Sequence, residues 1–262
     1  MKRDFRAIVI TGASSGLGAA LARHHARPGV TLLLIGRDEG RLTGVAETCR
    51  AAGASVEIAA IDIRETEALA ARLLAFDAVF PVDLVIANAG VEASLGPGRS
   101  AEPLDAAIEQ FRVNLEGAAA TVTPLLEPMR ARRQGAITLI SSLAAMEPMP
   151  DQPAYSASKA GLAAWGHALA GWLRPFGVTV TIACPGFIAT GMTESYKGWR
   201  PFEVSAADAA RRIADATARG RLVLAFPWPL VWLIRLGHLV PRILRNAVVD
   251  TLFRFTVEKG RD

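Results

Sequence analysis

Tyrosine occurs twice in this 262-residue chain, and lysine only at Lys2, Lys159, Lys197 and Lys259, yet Tyr155 and Lys159 stand four residues apart in AYSASKAG. On a helix that spacing puts both side chains on one face. A free phenol has a pKa near ~10 and is a poor base at neutral pH. A neighbouring ammonium favours the phenolate and lowers that value. The pair can then exchange a proton with a carbonyl or carbinol oxygen. A surface tyrosine beside a solvated lysine fits the same spacing, so context has to decide.

A second stretch with chemical potential lies near the start. The run Ala7–Thr11 is apolar and β-branched, TGASSGLG follows, and helix-forming Ala19, Ala20 and Leu21 come next. A glycine-rich turn between strand and helix lets the backbone approach a pyrophosphate. The helix N-terminus then offers free N–H groups and the positive end of its dipole. A plain tight turn is the alternative; a strand before it and a helix after it favour nucleotide binding.

The spacing TGxxxGxG, followed by Asn88-Ala89-Gly90 and by Tyr155-x3-Lys159, resembles the short-chain dehydrogenase/reductase family over about residues 6 to 226. The resemblance implies a nicotinamide dinucleotide as cofactor and four catalytic positions. Tyr155 would be the acid/base. Lys159 would tune it and bind the nicotinamide ribose. Ser142, thirteen residues before Tyr155, would orient the reacting oxygen; Ser141 would point the other way along a strand. Asn114 would anchor a water linked to the lysine. An asparagine inside a helix is otherwise unhelpful, because it competes for backbone hydrogen bonds.

The same resemblance distributes the dinucleotide along the chain. Gly12, Ser14, Ser15, Gly16, Leu17 and Gly18 would cradle the pyrophosphate. The second strand ends in Gly36 followed by Arg37, where an acidic residue would favour an unphosphorylated ribose. A guanidinium matches phosphate oxygens, and Ser14 can donate to them, so NADP(H) is expected over NAD(H), with NAD(H) still possible. Pairing of Arg37 with Asp38 or Glu39 is the competing reading. Asp62 and Ile63 would receive the adenine, unless Asp62 simply caps the next helix. Gly90 would permit close approach, with Ala89 beside it, and Asn88 is expected to hold strand ends together. In Cys184-Pro185-Gly186-Phe187-Ile188-Ala189-Thr190, Ile188 and Thr190 would hold the carboxamide while Pro185, Gly186 and Phe187 flank the ring.

These residues need a scaffold. Mostly continuous apolar runs at 7–11, 31–36, 56–61, 84–88, 136–141, 178–183 and 222–226 read as strands buried on both faces. Helical stretches at 17–27, 39–52, 65–79, 104–133, 155–175 and 206–219 alternate with them. The expected fold is α/β: one Rossmann-like, doubly wound domain with a mainly parallel seven-stranded sheet, helices on both faces and two extra C-terminal helices. No linker or repeat suggests a second domain.

Residues 191–204 are expected to form a substrate lid carrying Met192, Tyr196, Trp199 and Phe202, with Glu92, Ser94, Ala145 and Met149 on the opposite wall. The lid's aromatics favour an apolar, lipid-like ketone or aldehyde and its alcohol as substrate. The mean hydropathy of +0.28 is high and calls for apolar surface beyond a core. Residues 228–262 supply it, with helices expected at 230–240 and 242–255. The run 222–240 contains Pro227, Pro229, Arg235 and His238, which argue against a membrane span. A basic amphipathic helix on a membrane interface, an oligomer interface or a flap over the substrate mouth are the readings for the tail.

The net charge of +4 comes without a basic block, which disfavours nucleic acid. Cys49 and Cys184 form no metal-ligand pattern, so no metal is expected, and they read as core thiols in a reducing compartment. His24, His25 and His167 show no partner spacing. The short apolar run at the N-terminus is read as a strand rather than a signal segment. A cytoplasmic homodimer or homotetramer, possibly membrane-associated, is expected. A non-catalytic dinucleotide sensor and a membrane-surface or assembly protein built on the same scaffold are the rival functions.

Overall fold

The computed structural model describes residues 2–194, 196–197, 200–241 and 256–257. Seven strands form one sheet: β1 (Ala7–Thr11), β2 (Thr31–Gly36), β3 (Ser55–Ala60), β4 (Leu84–Ala87), β5 (Gly135–Ile140), β6 (Val178–Pro185) and β10 (Val223–Phe226). Their spatial order is β10-β6-β5-β4-β1-β2-β3, and every pair is parallel. The strands form where the sequence carries continuous apolar runs, because both faces are covered.

Alternate side chains feed two cores. Val9, Leu33, Ile35, Val85, Ile137 and Leu139 point to one side. Ile8, Ile10, Leu32, Leu34, Leu84 and Ile86 point to the other. Helices α3 (Thr66–Val79), α5 (Gly117–Arg132) and α6 (Pro153–Leu173) cover the first face. Helices α1 (Gly16–His25), α2 (Glu39–Ala51) and α8 (Ala206–Ala218) cover the second. Burial of a large aliphatic side chain contributes roughly 1.5–3 kcal/mol, so these two layers dominate the stability. Strand order reverses between β1, which leads to β2, and β4, which pairs with the other side of β1. That switch point opens a crevice at the carboxyl ends of the strands.

Three expectations change. The helix expected over 104–133 is broken into α4 (Leu104–Phe111), a π-helical turn (Arg112–Glu116) and α5. Asn114 lies in that turn, and its side chain bonds main chain outside the helix. The loop expected at 191–204 contains α7 (Gly191–Glu194), β8 (Tyr196–Lys197) and the start of β9 (Val204–Ser205). Strand β9 pairs with β7 (Ile188–Ala189), and β8 pairs with β11 (Thr256–Val257). The first C-terminal helix, α9, runs from Trp228 to Gly237, two residues before its expected start. The second, expected at 242–255, lies outside the described residues.

Candidate functional site

A cavity of about 640 Å³ occupies the crevice. One end is built by the turn after β1. Gly12, Ser14, Ser15, Gly16, Leu17 and Gly18 all line it, and α1 begins at Gly16 with its first N–H groups facing the turn. A Cβ on Gly18 would lie 2.0 Å from the Gly12 carbonyl oxygen and 2.6 Å from Asn88 Nδ2, so only glycine lets strand, turn and helix close up here. Asn88 Nδ2 donates to the carbonyls of Thr11 (2.9 Å) and Gly12 (3.3 Å), tying the ends of β4 and β1 together.

At the end of β2, Gly36 leaves the cavity floor without a carboxylate, and both Arg37 and Arg41 line it. A Cβ on Gly36 would stand 3.3 Å from Ser14 Oγ, so the serine belongs to the same corner. Asp38 caps α2 through the Arg41 N–H (2.8 Å) and pairs with Arg41 Nε (2.9 Å). Arg37 therefore does not spend its charge on Asp38; among the described residues it has no carboxylate within ion-pair distance.

Asp62 and Ile63 line the cavity beside this corner. Asp62 does not cap α3, whose preceding residue is Glu65. Instead Arg64 takes both carboxylate oxygens, Nε to Oδ1 at 3.0 Å and Nη2 to Oδ2 at 2.6 Å. The hydrogen bonds from Arg64 hold the Asp62 carboxyl below its ordinary range.

The other end of the cavity holds Ser142, Tyr155 and Lys159. Ser142 follows β5 by two residues and caps the next 3-10 turn, its Oγ accepting from the Ala144 N–H at 3.1 Å. It also faces the Tyr155 phenol closely enough to lower its pKa. Ser141 turns the other way and donates to the Lys159 carbonyl at 2.8 Å. Lys159 is only 4% exposed; its ammonium donates to the Ile140 carbonyl at 2.9 Å and sits 5.8 Å from the Tyr155 ring centroid. Helix α6 begins at Pro153, suited to the first turn because its missing N–H costs nothing there.

The electrostatics correct one expectation. The Tyr155 phenol is pushed up, not down: burial acts first, the Glu92 carboxylate second, and only the neighbouring Ser142 hydroxyl pulls it back. Burial pulls Lys159 down to about 8, against the opposing influence of Glu92 and Cys184. Desolvation, rather than the lysine, sets the phenol's pKa here.

Asn114 is fully buried and does not line the cavity. It accepts from the Val91 N–H (2.8 Å) and donates to the Val91 carbonyl (2.9 Å) and to Ser158 Oγ (3.0 Å). A Cβ on Gly90 would fall 3.1 Å from Asn114 Oδ1 and 3.3 Å from Lys159 Nζ. Asn114 is thus packed behind the lysine and holds the strand end that carries Ala89 and Gly90, both cavity-lining.

Pro185, Gly186, Phe187, Ile188 and Thr190 line the remaining wall. The Thr190 hydroxyl stands 3.4 Å from the Ile188 carbonyl. The tighter bond to that carbonyl, at 2.6 Å, comes from Thr193, a cavity residue that sequence reasoning passed over. Glu92 and Met149 line the cavity; Ser94 and Ala145 do not, and Ala144 takes the second one's place. Phe202 is 54% exposed and lies off the cavity. The side chains of Met192, Tyr196 and Trp199 lie outside the described ones. Arg41, Gln152, Glu147, Leu230 and Ile234 are further lining residues that the sequence reading missed. Arg41, one turn beyond Arg37, carried a legible signal; the inward face of α9 did not.

Cys184 is buried in the core with its thiol raised to about 11 by desolvation. Among the described residues no group of His, Cys, Asp and Glu is placed to hold a metal ion.

Several known proteins are similar to this chain. It is 35% identical over 250 residues to an uncharacterized oxidoreductase of Myxococcus xanthus, covering 95% of this chain and 98% of that one. A putative ketoacyl reductase of Streptomyces coelicolor is 31% identical over 229 residues, 84% of this chain and 86% of its own. A crystal structure of a short-chain dehydrogenase/reductase from Burkholderia phymatum in complex with NAD superposes with a TM-score of 0.81 at 27% identity, over 91% of this chain and 94% of that one. The family model described as short chain dehydrogenase matches residues 6–201. The chain belongs to the short-chain dehydrogenase family of NAD(P)-dependent oxidoreductases.

Proposed function

We propose that the protein interconverts an uncharged, apolar carbonyl compound and its alcohol, using NADP(H) and Tyr155 as the acid/base. The observation that carries this reading is that Ser142, Tyr155 and buried Lys159 line one cavity with the glycine cradle. The cradle, closed by Gly18 and tied by Asn88, fits a dinucleotide; bound there, that cofactor supplies or accepts the hydride.

The chain's own residues do the rest. Ser14, Ser15, Gly16, Leu17 and Gly18 hold the pyrophosphate, and Arg37 with Ser14 holds a 2′-phosphate. Asp62 and Ile63 border the adenine, and Ala89, Gly90, Pro185, Gly186, Ile188 and Thr190 confine the nicotinamide end. Tyr155 keeps its proton at neutral pH because burial and Glu92 raise its pKa. Lys159, at about 8, keeps its charge there as well. A protonated phenol beside an ammonium suits donation to a carbonyl oxygen held by Ser142, so reduction is the favoured direction near neutrality. Asn114 positions Lys159 and the Val91 main chain.

The cavity wall supports the substrate class. Leu143, Met149, Phe187, Leu230 and Ile234 are apolar, and the carboxylates there are Glu92 and Glu147. Among the described lining residues the arginines stand at the opposite end, so a substrate carboxylate has no cation to meet except Lys159. Ketoacyl compounds, the class named for the Streptomyces relative, with an apolar chain would fit this wall. Exposed Leu104, Ile108 and Phe111 on α4 and Trp172 on the neighbouring α6 support a homodimer or homotetramer. No helix among the described residues is long and apolar enough to cross a membrane.

The test is a panel of ketones, aldehydes, β-ketoacyl thioesters and oxo acids followed at the NADPH absorbance. Apolar carbonyl compounds should be reduced and oxo acids should not. Tyr155→Phe should keep NADPH affinity and lose turnover by at least about a hundredfold. Full activity of that variant removes Tyr155 from the role.

A further inference from the structure

Helix α9 has two apolar faces. Its inner face is in use: Leu230 and Val231 are buried, and Leu230 and Ile234 line the cavity. Its end is pinned, because His238 Nε2 lies 2.7 Å from Glu147 Oε2, on the segment that follows β5. Among the described residues the outer face has no such cover. Trp228 is 69% exposed and Leu239 82%, with Trp232, Leu233 and Leu236 also exposed between them. These positions recur at helical spacing, so they form one patch along α9 and the turn after it. A monomeric soluble protein rarely exposes so many large apolar side chains together.

The charge around the patch distinguishes the possible occupants. No acidic residue occurs in the sequence between Asp215 and Asp250, whereas Arg235, Arg242 and Arg245 fall within eleven residues of each other. Arg235 is exposed on α9 itself, between Trp232 and Leu236. A second copy of the chain, packed face to face about a twofold axis, would bring two Arg235 guanidiniums together with no acid on the helix to neutralise either. A phosphate-bearing lipid surface offers the opposite charge at the same depth as the guanidinium. Tryptophans favour that interface, with an apolar ring and a polar N–H. An interfacial helix of this kind combines Trp and Leu on one face with Arg beside them.

We infer that the outer face of α9 docks on an anionic lipid bilayer, so that the helix roofing the cavity lies between the membrane and the site. The contact is peripheral, and it stands whether or not the proposed reaction is correct.

The experiment is flotation of the full-length protein with vesicles of phosphatidylcholine, with and without phosphatidylglycerol. The wild type should float with the anionic vesicles, and binding should weaken with added salt. Trp232→Ser combined with Leu236→Ser should reduce binding about tenfold or more. Arg235→Gln should reduce it roughly fivefold on the anionic vesicles and leave neutral ones unaffected. These side chains face away from the cavity, so NADPH affinity and far-ultraviolet circular dichroism report whether each variant folds; Leu236→Gln alone serves if the double variant does not. Failure of the wild type to bind anionic vesicles overturns the inference, and so does unchanged binding by a folded variant. Light scattering supplies a third outcome: an oligomer that dissociates in the Trp232 and Leu236 variants assigns the face to a second copy and also overturns it.

Discussion

Replacing Arg37 and Arg41 one at a time tests how the protein chooses its dinucleotide. Both side chains line the cavity where β2 ends, next to Ser14, and Gly36 provides no carboxylate there. A hydrogen bond to a charged group contributes about 1.5–3 kcal/mol. Both arginines are exposed, so solvent screening brings the expected loss down to about 1–2 kcal/mol. Arg37→Ala should therefore raise the Kd for NADPH roughly 5- to 30-fold and leave the Kd for NADH almost unchanged. Arg41→Ala should cost more, because Arg41 also pairs with Asp38 at 2.9 Å. Without it, the Asp38 carboxylate stands uncompensated beside the phosphate. Gly36→Asp should reverse the preference altogether. The assay is fluorescence titration with each nucleotide at two salt concentrations, since the preference is electrostatic and should shrink as salt rises. Equal losses for both nucleotides, or an unchanged NADPH to NADH ratio in all three variants, would refute the reasoning.

Three further outcomes follow from the same site. The Glu92 carboxylate raises both Tyr155 and Lys159, so Glu92→Gln should move the alkaline limb of the kcat/KM profile to lower pH; an unmoved limb excludes the carboxylate from the site's electrostatics. Lys159 titrates near 8 in the folded protein against 10.5 ordinarily. From about pH 8 upward the unfolded chain thus holds more protons at this residue, which should raise stability by up to about 1.4 kcal/mol per unit until pH ~10; the buried thiols of Cys49 and Cys184, held above their ordinary ~8.5, oppose part of that rise. Thermal melts at pH 8 and 9.5 should show the wild type gaining stability relative to Lys159→Met as pH rises; parallel curves would contradict it. Gly18→Ala must displace the Gly12 carbonyl or Asn88. It should cost about 1–3 kcal/mol, read as a lower Tm, and weaken NADPH binding at least tenfold. A variant with wild-type Tm and affinity would show that the cradle has slack.

Particular residues show which features were legible beforehand. The strand Thr31–Gly36 was readable to the residue, because a run buried on both faces is continuously apolar and ends where polar residues resume. Tyr155, Lys159, Ser142 and the cradle were legible because they sit at fixed spacing on single elements. The break at Asn114 was not, since a π-helical turn depends on a bond to Val91, more than twenty positions earlier in the chain. Nor was the capture of Asp62 by Arg64, which also reaches Glu109 on α4. Sequence proximity suggested that Arg37 would compete for Asp38, whereas capping geometry gave Asp38 to Arg41.

By itself, then, the sequence determined the parallel sheet, the order of its elements, the family and the residues that cluster in the cavity. All of these rest on local patterns: apolar runs, glycines at a turn, and side chains one helical turn apart. Tertiary structure decided the rest. It raised the Tyr155 phenol through burial and through Glu92, which approaches from another element. It turned Leu230 and Ile234 of α9 into the cavity and left Trp228 and Trp232 facing outward. Burial and the facing of an all-apolar helix depend on what packs against it, and no local pattern carries that information.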